Sequence, residues 1–268
     1  RNRPLELALT VAQHIAVARA GARPRGGPVL CFAGLRVVAE RILCYTVAMG
    51  FEQKDFHDKD GGTRMKTSWP TLAQEVFSCE RCRLCQTRNH VVFGEGNLHA
   101  PLMLIGEGPG QQEDSTGRPF VGAAGQLLDK MLAAIGLARE QVYICNVVKC
   151  RPPHNRVPEP DEQAACMDYL RQQVALVRPR VIVCLGSTPT RALLGGQMRI
   201  TRDRGVWQLK KGVWFMPTYH PAALLRDADK KRPAWTDFKA IRDKLNELGV
   251  YRQISGAEGP AGEEADGR

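Results

Sequence analysis

Residues 101–108, PLMLIGEG, join an apolar run to a glycine-rich turn, and this junction decides the fold. An unbroken apolar run that ends in a turn is typical of a strand buried on both faces of a sheet. Three more runs of this kind follow along the chain: QVYICNVVK (141–149), VIVCLG (181–186) and GVWFMPTYH (212–220). We expect these four segments to be strands.

Segments with helical character lie between and around these runs. GAAGQLLDKMLAAIGL (122–137) repeats its apolar residues at helical spacing, and PDEQAACMDYLRQQVALV (160–177) begins with a proline and two acids, as helix N-termini prefer. Three further helices are predicted in KTSWPTLAQEVFSC with a Ser68 cap, in STPTRALLG with a Ser187 or Thr188 cap, and in AWTDFKAIRDKLNEL. Strands that alternate with helices favour a parallel sheet covered on both faces.

Polar and glycine residues follow the predicted strands. Ligands of such sheets bind beyond the carboxyl ends of the strands, where GEGPG (106–110), Asn146, Gly186 and His220 fall. GEGPG is not a phosphate loop, since no Gly-Lys-Ser/Thr follows, and it lacks the GxGxxG pattern and the following helix of a dinucleotide site. The longer string, with a carboxylate at Glu107 and a ring at Phe120, suits a flat polar ligand that is stacked and hydrogen-bonded at its edges.

The overall composition is that of a globular protein with an excess of positive charge. The chain has 268 residues, 38 Lys and Arg against 28 Asp and Glu, and a net charge of +10. Such an excess favours an anionic partner, nucleic acid above all, although many basic proteins bind none. The apolar stretch near residues 5–18 carries Glu6 and His14 and is short for a membrane span. We expect a cytoplasmic protein that does not enter membranes.

The nine cysteines do not form the regular framework of a small secreted domain, and clustered cysteines in a reducing compartment indicate a metal or redox site. CERCRLC (79–85) contains two overlapping CxxC pairs, Cys79/Cys82 and Cys82/Cys85. One pair together with Cys150 and Cys166 could hold zinc or an iron–sulfur cluster, and spacing alone does not choose between them. Cys145 and Cys184, inside apolar strands, are expected to be core residues.

The two ends of the chain differ from its centre. Residues 1–64 have weak periodicity and no visible chemistry, so we expect a poorly ordered N-terminal extension, with a small helical appendage as the alternative. Residues 65–250 form the predicted domain that carries the strand-end residues and the clustered cysteines. The Gly-, Ala- and acid-rich residues 251–268 are expected to be a disordered tail.

Five motifs resemble, in order and in spacing, the family 4 uracil-DNA glycosylases, the iron–sulfur enzymes of the uracil-DNA glycosylase superfamily. They are CERCRLCQTRNHVVFGEGN, GEGPGQQEDSTGRPFVGAAGQLLDKML, YICNVVKCRPPHNRVPEP, RPRVIVCLGSTPTRALLG and YHPAALLR, within residues 66–249. Two departures are His154, where the family usually has glycine, and Cys85, where it usually has no cysteine. The resemblance implies a three-layer α/β/α fold with a central four-stranded parallel sheet, and hydrolysis of the N-glycosidic bond of deoxyuridine in DNA, which initiates base excision repair.

The resemblance also implies a cofactor and the roles of single residues. A [4Fe–4S] cluster would be bound by Cys79, Cys82, Cys150 and Cys166, because the family pattern after the CxxC pair fits only that register, and Cys85 would be a bystander. Phe120 would stack on the flipped uracil, Asn146 would read its edge, and His220 would stabilise the leaving anion. Glu107 or Glu113 would orient the attacking water, which the sequence does not decide, with Asp114 instead capping the loop. The loop that bears Glu107 and Gly108 would exclude thymine.

DNA contacts are expected from residues near these loops. Candidates for phosphate binding are Arg151, Arg156, Arg226 and Arg204. Leu224 and Leu225 could form a wedge that enters the base stack, and we expect one to be exposed and the other buried. The substrate would be uracil-containing DNA, single- or double-stranded, bound by a monomer. Two other classes stay open: a non-catalytic DNA-binding member of the family, and a zinc or redox module without nucleic-acid chemistry.

Overall fold

The computed structural model describes residues 68–252, which are built around one six-stranded sheet. The strands are β1 (Glu95–Gly96), β2 (Leu102–Gly106), β3 (Tyr143–Asn146), β4 (Val181–Leu185), β5 (Gln208–Lys210) and β6 (Val213–Thr218). Their order across the sheet is β1-β3-β2-β4-β6-β5. The central strands β3, β2, β4 and β6 are parallel, and the short edge strands β1 and β5 pair antiparallel.

Helices cover both faces of the sheet. They are α1 (Trp69–Phe77), α2 (Gln111–Thr116), α3 (Ala123–Ala133), α4 (Pro160–Val177), α5 (Ser187–Leu194), α6 (Ile200–Asp203), α7 (Pro221–Arg226) and α8 (Lys231–Glu247). None of the helices described between residues 68 and 252 has both the length and the apolar character needed to cross a membrane.

The two-residue period of the strands divides their side chains between two apolar layers. Leu104 and Val183 point to one face, where they share a buried core with residues of α3, α7 and α8. Tyr143 points to the other face, where its ring lies 5.6 Å from that of Trp69 in α1 and its hydroxyl accepts a hydrogen bond from Gln173 in α4. The strand runs are therefore apolar throughout because both faces are covered.

The predicted fold is confirmed, with additions and two corrections. All four predicted strands form the parallel centre; the two antiparallel edge strands were not predicted. The cap prediction for α5 was wrong, since its N-cap is Gly186 and no side chain caps it. GEGPG was also expected to lack a following helix, but α2 begins directly after Gly110.

The chain ends were predicted from composition. The predictions for residues 1–64 and for the tail beyond Arg252 lie outside the described residues. Tyr251, which the sequence placed in the tail, donates a hydrogen bond of 2.6 Å from its hydroxyl to the Ile135 carbonyl. The packed part of the chain therefore extends past residue 250.

Candidate active site and cysteine cavity

The carboxyl ends of β2 and β3 bring three functional candidates together. Gly106 ends β2 directly opposite Asn146, which ends β3. A Cβ atom on Gly106 would lie 2.4 Å from Asn146 Oδ1 and 2.6 Å from Phe120 Cζ, so only glycine leaves room for the amide and the ring. Asn146 Oδ1 is buried and has no hydrogen-bond partner among the described residues. A buried acceptor of this kind is rare and indicates a site for a donor from a ligand.

Phe120 is held in an unusual backbone conformation. Its φ is +52°, in the left-handed region that bulky residues avoid. Arg139 donates to the carbonyl oxygens of Phe120 (3.1 Å) and Pro119 (2.8 Å), and Gly125 leaves space for the same Phe120 carbonyl, which a Cβ there would approach to 1.8 Å. The ring lies 5.5 Å from the imidazole of His220, centroid to centroid.

His220 is fixed at the N-terminus of α7. Its Nδ1 accepts a hydrogen bond of 3.1 Å from the backbone N–H of Ala222. Burial of the ring lowers the pKa of His220 to about 4, with nearby Arg226 adding to the effect and Glu113 opposing it. The imidazole is therefore neutral at pH 7 and carries its proton on Nε2, where it can donate to a ligand.

Three acidic residues, Glu107, Glu113 and Asp114, lie between β2 and the end of α2 and have different surroundings. Glu107 accepts a hydrogen bond at Oε2 from Thr188, at the start of α5. Glu113 accepts at both oxygens from backbone N–H groups, those of Val121 and Gly122 at 2.9 Å and that of Gly110 at 3.1 Å. Glu113 therefore closes the loop around α2, while Glu107 keeps Oε1 without a described partner.

Asp114 is the third of these acids. It is buried and accepts hydrogen bonds from the backbone of Asn89 and His90 and from the Asn89 amide. Asp114 therefore ties residues 89 and 90 to α2, whereas the loop cap predicted for it is supplied by Glu113.

Two of the arginines proposed for DNA binding have other partners. Arg156 forms a bidentate ion pair with buried Glu162, at 2.7 and 2.8 Å. Arg204 pairs with buried Asp237 in the same bidentate manner. These guanidinium groups serve the fold, because a buried carboxylate without its partner would be strongly destabilising.

The remaining DNA candidates lie in positions that allow the predicted contacts. Arg151 donates only to Asn155 among the described residues, and Arg226 is exposed at the end of α7. Leu224 is 2% exposed and Leu225 is 51% exposed, so the prediction that one would be buried and the other exposed is confirmed.

A separate cavity collects cysteines from three parts of the chain. Five cysteines line it, namely Cys79, Cys82, Cys85, Cys150 and Cys166. Nowhere between residues 68 and 252 are three His, Cys, Asp or Glu side chains arranged to hold a single metal ion. In a tetrahedral zinc site the sulfurs would be only about 3.8 Å apart, given Zn–S bonds of about 2.3 Å. An iron–sulfur cluster is a larger group, in which each thiolate binds its own iron, and several cysteines around one cavity could hold it.

The hydrogen bonds to these sulfurs distinguish the cysteines. Backbone N–H groups of Arg81, Leu84 and Lys149 donate to Cys79, Cys82 and Cys166, respectively. The Arg88 guanidinium donates to Cys150 Sγ at 3.2 Å. No such donor to Cys85 Sγ is found in the described part of the chain. N–H donors stabilise thiolates and are a known influence on iron–sulfur clusters, so this pattern favours the pair Cys79/Cys82.

The other two cysteines of the described strands behave as predicted. Cys145 and Cys184 are fully buried in the sheet, and burial raises the pKa of both thiols, that of Cys184 to about 12. They are core residues.

Three supporting residues were not predicted from the sequence. They are Thr188, which holds Glu107; Arg139, which holds Phe120; and Lys149, which contacts Asn146. Only Lys149 gave a signal, as a charged residue at the end of an apolar strand and next to a cysteine.

Comparison with known proteins gives the class to which this fold and site belong. The profile of the Uracil DNA glycosylase superfamily matches residues 93–242, more than half of the chain. The match includes Asn146, Phe120 and His220. The chain therefore belongs to the uracil-DNA glycosylase superfamily.

Within the superfamily, several of the similar proteins are type-4 enzymes. The chain is 49% identical over 160 residues to the type-4 uracil-DNA glycosylase of Thermotoga maritima, covering 58% of this chain and 82% of that protein. It is 47% identical over 181 residues to that of Sulfurisphaera tokodaii, covering 64% and 82%. It is 39% identical over 210 residues to that of Saccharolobus solfataricus, covering 74% and 97%.

Proposed function

We propose that this protein is a uracil-DNA glycosylase, which takes uracil out of the DNA stack and hydrolyses its N-glycosidic bond to leave an abasic site. The single observation that carries the proposal is the unpaired, buried Oδ1 of Asn146 beside the Phe120 ring. Extrusion of a base from the duplex requires a few kcal/mol and is least demanding where pairing is already weak. Phe120 would then stack on the flipped ring.

Asn146 would select uracil by its hydrogen-bonding edge. Oδ1 would accept from uracil N3–H, and the amide N–H would donate to O4. Cytosine has an acceptor at N3 and a donor amine at C4, so the same amide would be left unpaired at both atoms. Sites of this kind discriminate by factors of about 10⁴ or more.

His220 would stabilise the charge that develops as the bond breaks. The uracil ring becomes an anion, and a neutral imidazole with its proton on Nε2 would donate a hydrogen bond to uracil O2. A donor placed where charge develops typically contributes about 2.7–4 kcal/mol. The low pKa of His220, about 4, supports this role because the ring then acts as a hydrogen-bond donor and keeps its proton.

Glu107 is the better candidate for orienting the attacking water. Thr188 would hold one carboxylate oxygen, leaving the other for the water. Glu113 is less suitable, since three backbone N–H groups already occupy its oxygens. The loop that bears Glu107 and Gly108 would exclude thymine. A Cβ atom on Gly108 would lie 2.8 Å from Val148 Cγ2, which supports a tightly packed loop there.

We further infer that Cys79, Cys82, Cys150 and Cys166 hold a [4Fe–4S] cluster. The position of these four cysteines around one cavity supports this assignment, as do the N–H groups that donate hydrogen bonds to their sulfurs. Such a cluster, when bound, would cross-link residues 79–82 to α4 and to the segment after β3, since metal binding couples to folding. Nothing in the proposed hydrolysis uses electron transfer.

The decisive experiment measures free uracil released from an oligonucleotide with a single deoxyuridine, against the same oligonucleotide with deoxycytidine. We expect release from the first and none from the second. Asn146→Ala and His220→Ala should each reduce the single-turnover rate by orders of magnitude, while DNA binding weakens much less because phosphate contacts dominate affinity.

The competing classes make different predictions. A protein that binds uracil-containing DNA but releases no base would be a non-catalytic member. Rates within a few-fold of the parent for both variants would overturn the roles of Asn146 and His220.

A further inference from the structure

Lys149 is a buried lysine that contacts both the base-reading residue and the cysteine cavity. Its Nζ donates to the backbone carbonyl of Asn146 at 2.7 Å and to Oε1 of Gln173 at 2.6 Å. The residue also lines the cysteine cavity, and its backbone N–H donates to the Cys166 sulfur. One side chain therefore lies between the two sites of the molecule.

The charge of this lysine needs a partner. Lys149 is 1% exposed, and an ammonium removed from water is strongly destabilising unless opposite charge compensates it. Both acceptors of its Nζ hydrogen bonds are neutral oxygens. The positive charge of Lys149 acts on the Cys166 thiol at the cavity, where it opposes the rise in pKa that burial causes. Thiolates bound to a cluster would supply the negative charge that the hydrogen bonds do not.

The contact with Asn146 gives this arrangement a consequence for the site. The Asn146 carbonyl that accepts from Nζ belongs to the same residue whose Oδ1 is presented, unpaired, to the ligand. Gln173, the second acceptor, is itself anchored to the Phe93 carbonyl at 2.9 Å and to the Tyr143 hydroxyl at 3.0 Å. The position of the ammonium is therefore fixed from α4, and a shift of it would move the backbone of Asn146.

We propose that Lys149 is a positioning residue that couples the cysteine cavity to the base-reading Asn146, so that the group bound in the cavity helps to set the uracil-binding geometry. This inference rests on the proposed function. The position of Asn146 matters for the rate, because even small displacements of the groups that bind and orient a substrate slow the reaction strongly. The cavity group acts on the reaction only through the position of Asn146.

The test compares three variants of the full chain loaded with cluster. Lys149→Met removes the charge and both hydrogen bonds at similar length. Lys149→Arg keeps a positive charge near the thiolates, but its wider planar head cannot make the same two short contacts. Val147→Ala is the matched control, a buried position in the same segment whose apolar side chain donates no hydrogen bond and does not line the cavity.

Three quantities are measured for each variant. They are the iron content with the temperature at which visible absorbance is lost, the single-turnover uracil release per loaded protein, and the binding of uncleavable 2′-fluoro-deoxyuridine DNA relative to plain DNA. Lys149→Met should lose absorbance at a lower temperature, release uracil at least about tenfold more slowly, and prefer the uracil analogue less, as expected for loss of a hydrogen bond from a charged donor. Lys149→Arg should keep the cluster and lose rate, and Val147→Ala should match the parent in rate per loaded protein.

The outcomes separate coupling from a structural role. If loaded Lys149→Met keeps the parent rate, or loses rate only as cluster is lost, the coupling is overturned. If Lys149→Met does not fold, Lys149→Arg decides, since unchanged rate and unchanged analogue preference would overturn the proposal. A parent protein that releases no uracil would refute the proposed function, and the absorbance and analogue-binding measurements would still decide the coupling.

Discussion

The backbone N–H of Ala222 donates to Nδ1 of His220 over 3.1 Å, and this contact determines which imidazole nitrogen can act on a ligand. With Nδ1 used as an acceptor, the proton of the neutral ring must be on Nε2. The ring therefore caps α7 through Nδ1. This cap leaves Nε2 for the donor role that is proposed for His220.

The first prediction concerns pH. Burial places the pKa of His220 at about 4, below its usual 6.5, so we expect the rate of uracil release to show no inflection near pH 6.5. The folded state resists protonation between these two values, while the unfolded chain binds the proton. The stability contribution of His220 is therefore complete above pH 6.5 and is lost as the pH falls toward 4.

The measurement is the single-turnover rate from pH 5.5 to 8 and denaturant unfolding at pH 7.5 and 5, for the parent and His220→Gln. The stability difference between the two proteins should shrink at the lower pH. A rate inflection near pH 6.5 that disappears in His220→Gln would show that the ring titrates normally.

The second prediction concerns the register of CERCRLC. Cys85→Ser should keep the iron content and the brown absorbance, because no N–H donor to Cys85 Sγ is found among residues 68–252. Cys79→Ser should lose both and reduce stability, since its sulfur accepts from the Arg81 N–H. Iron analysis and visible spectra of the two purified variants provide the check. Loss of the cluster with Cys85→Ser and its retention with Cys79→Ser would reverse the assignment.

The parallel sheet and the positions of the strand-end residues could be predicted because they depend on local patterns. Asn146 and His220 follow apolar runs, and parallel strands bring such ends to one edge. The ion pairs of Arg156 with Glu162 and of Arg204 with Asp237 could not be predicted in this way. An arginine near a binding loop has the same sequence pattern whether its partner is phosphate or a buried carboxylate, and only tertiary contacts decide.

The third prediction uses two adjacent leucines of α7. Leu225→Ala should slow release of uracil from duplex DNA more than from single strands, since a wedge replaces the flipped base in the stack, and should leave stability near that of the parent. Leu224→Ala should instead destabilise the fold by about 2–5 kcal/mol, because this side chain belongs to the buried core. Melting temperatures and rates on both substrates test the pair. Equal effects of Leu225→Ala on the two substrates would argue against a wedge.

The fourth prediction concerns two consecutive residues with left-handed backbone. His154 has φ of +54° and Asn155 has φ of +55°. His154→Gly should stabilise the fold by about 0.5–1 kcal/mol, because the left-handed penalty of about 1–2 kcal/mol exceeds the extra entropy that glycine gives the unfolded chain. Asn155→Gly is the control and should gain less, since asparagine tolerates this region. Denaturant unfolding measures both, and a less stable His154→Gly would indicate contacts of the imidazole that outweigh the backbone term.

The fifth prediction concerns the support of the stacking ring. Arg139 donates hydrogen bonds to the carbonyls of Phe120 and Pro119, and its guanidinium also forms ion pairs with Glu95 and Asp129. Arg139→Lys keeps a positive charge but cannot reach both carbonyls, so the left-handed turn at Phe120 should relax. We expect uracil release to slow by about tenfold. The displaced ring would lose part of its stacking on the base, and such stacking typically contributes about 1–3 kcal/mol.

Two comparisons make this prediction specific. Arg118 also pairs with Glu95, at 2.8 Å, yet contacts neither carbonyl, so Arg118→Lys should leave the rate unchanged. In a Phe120→Ala background, Arg139→Lys should have little further effect, because the ring that it positions is gone. Additive losses in the double variant would mean that Arg139 supports the fold generally and does not act through Phe120.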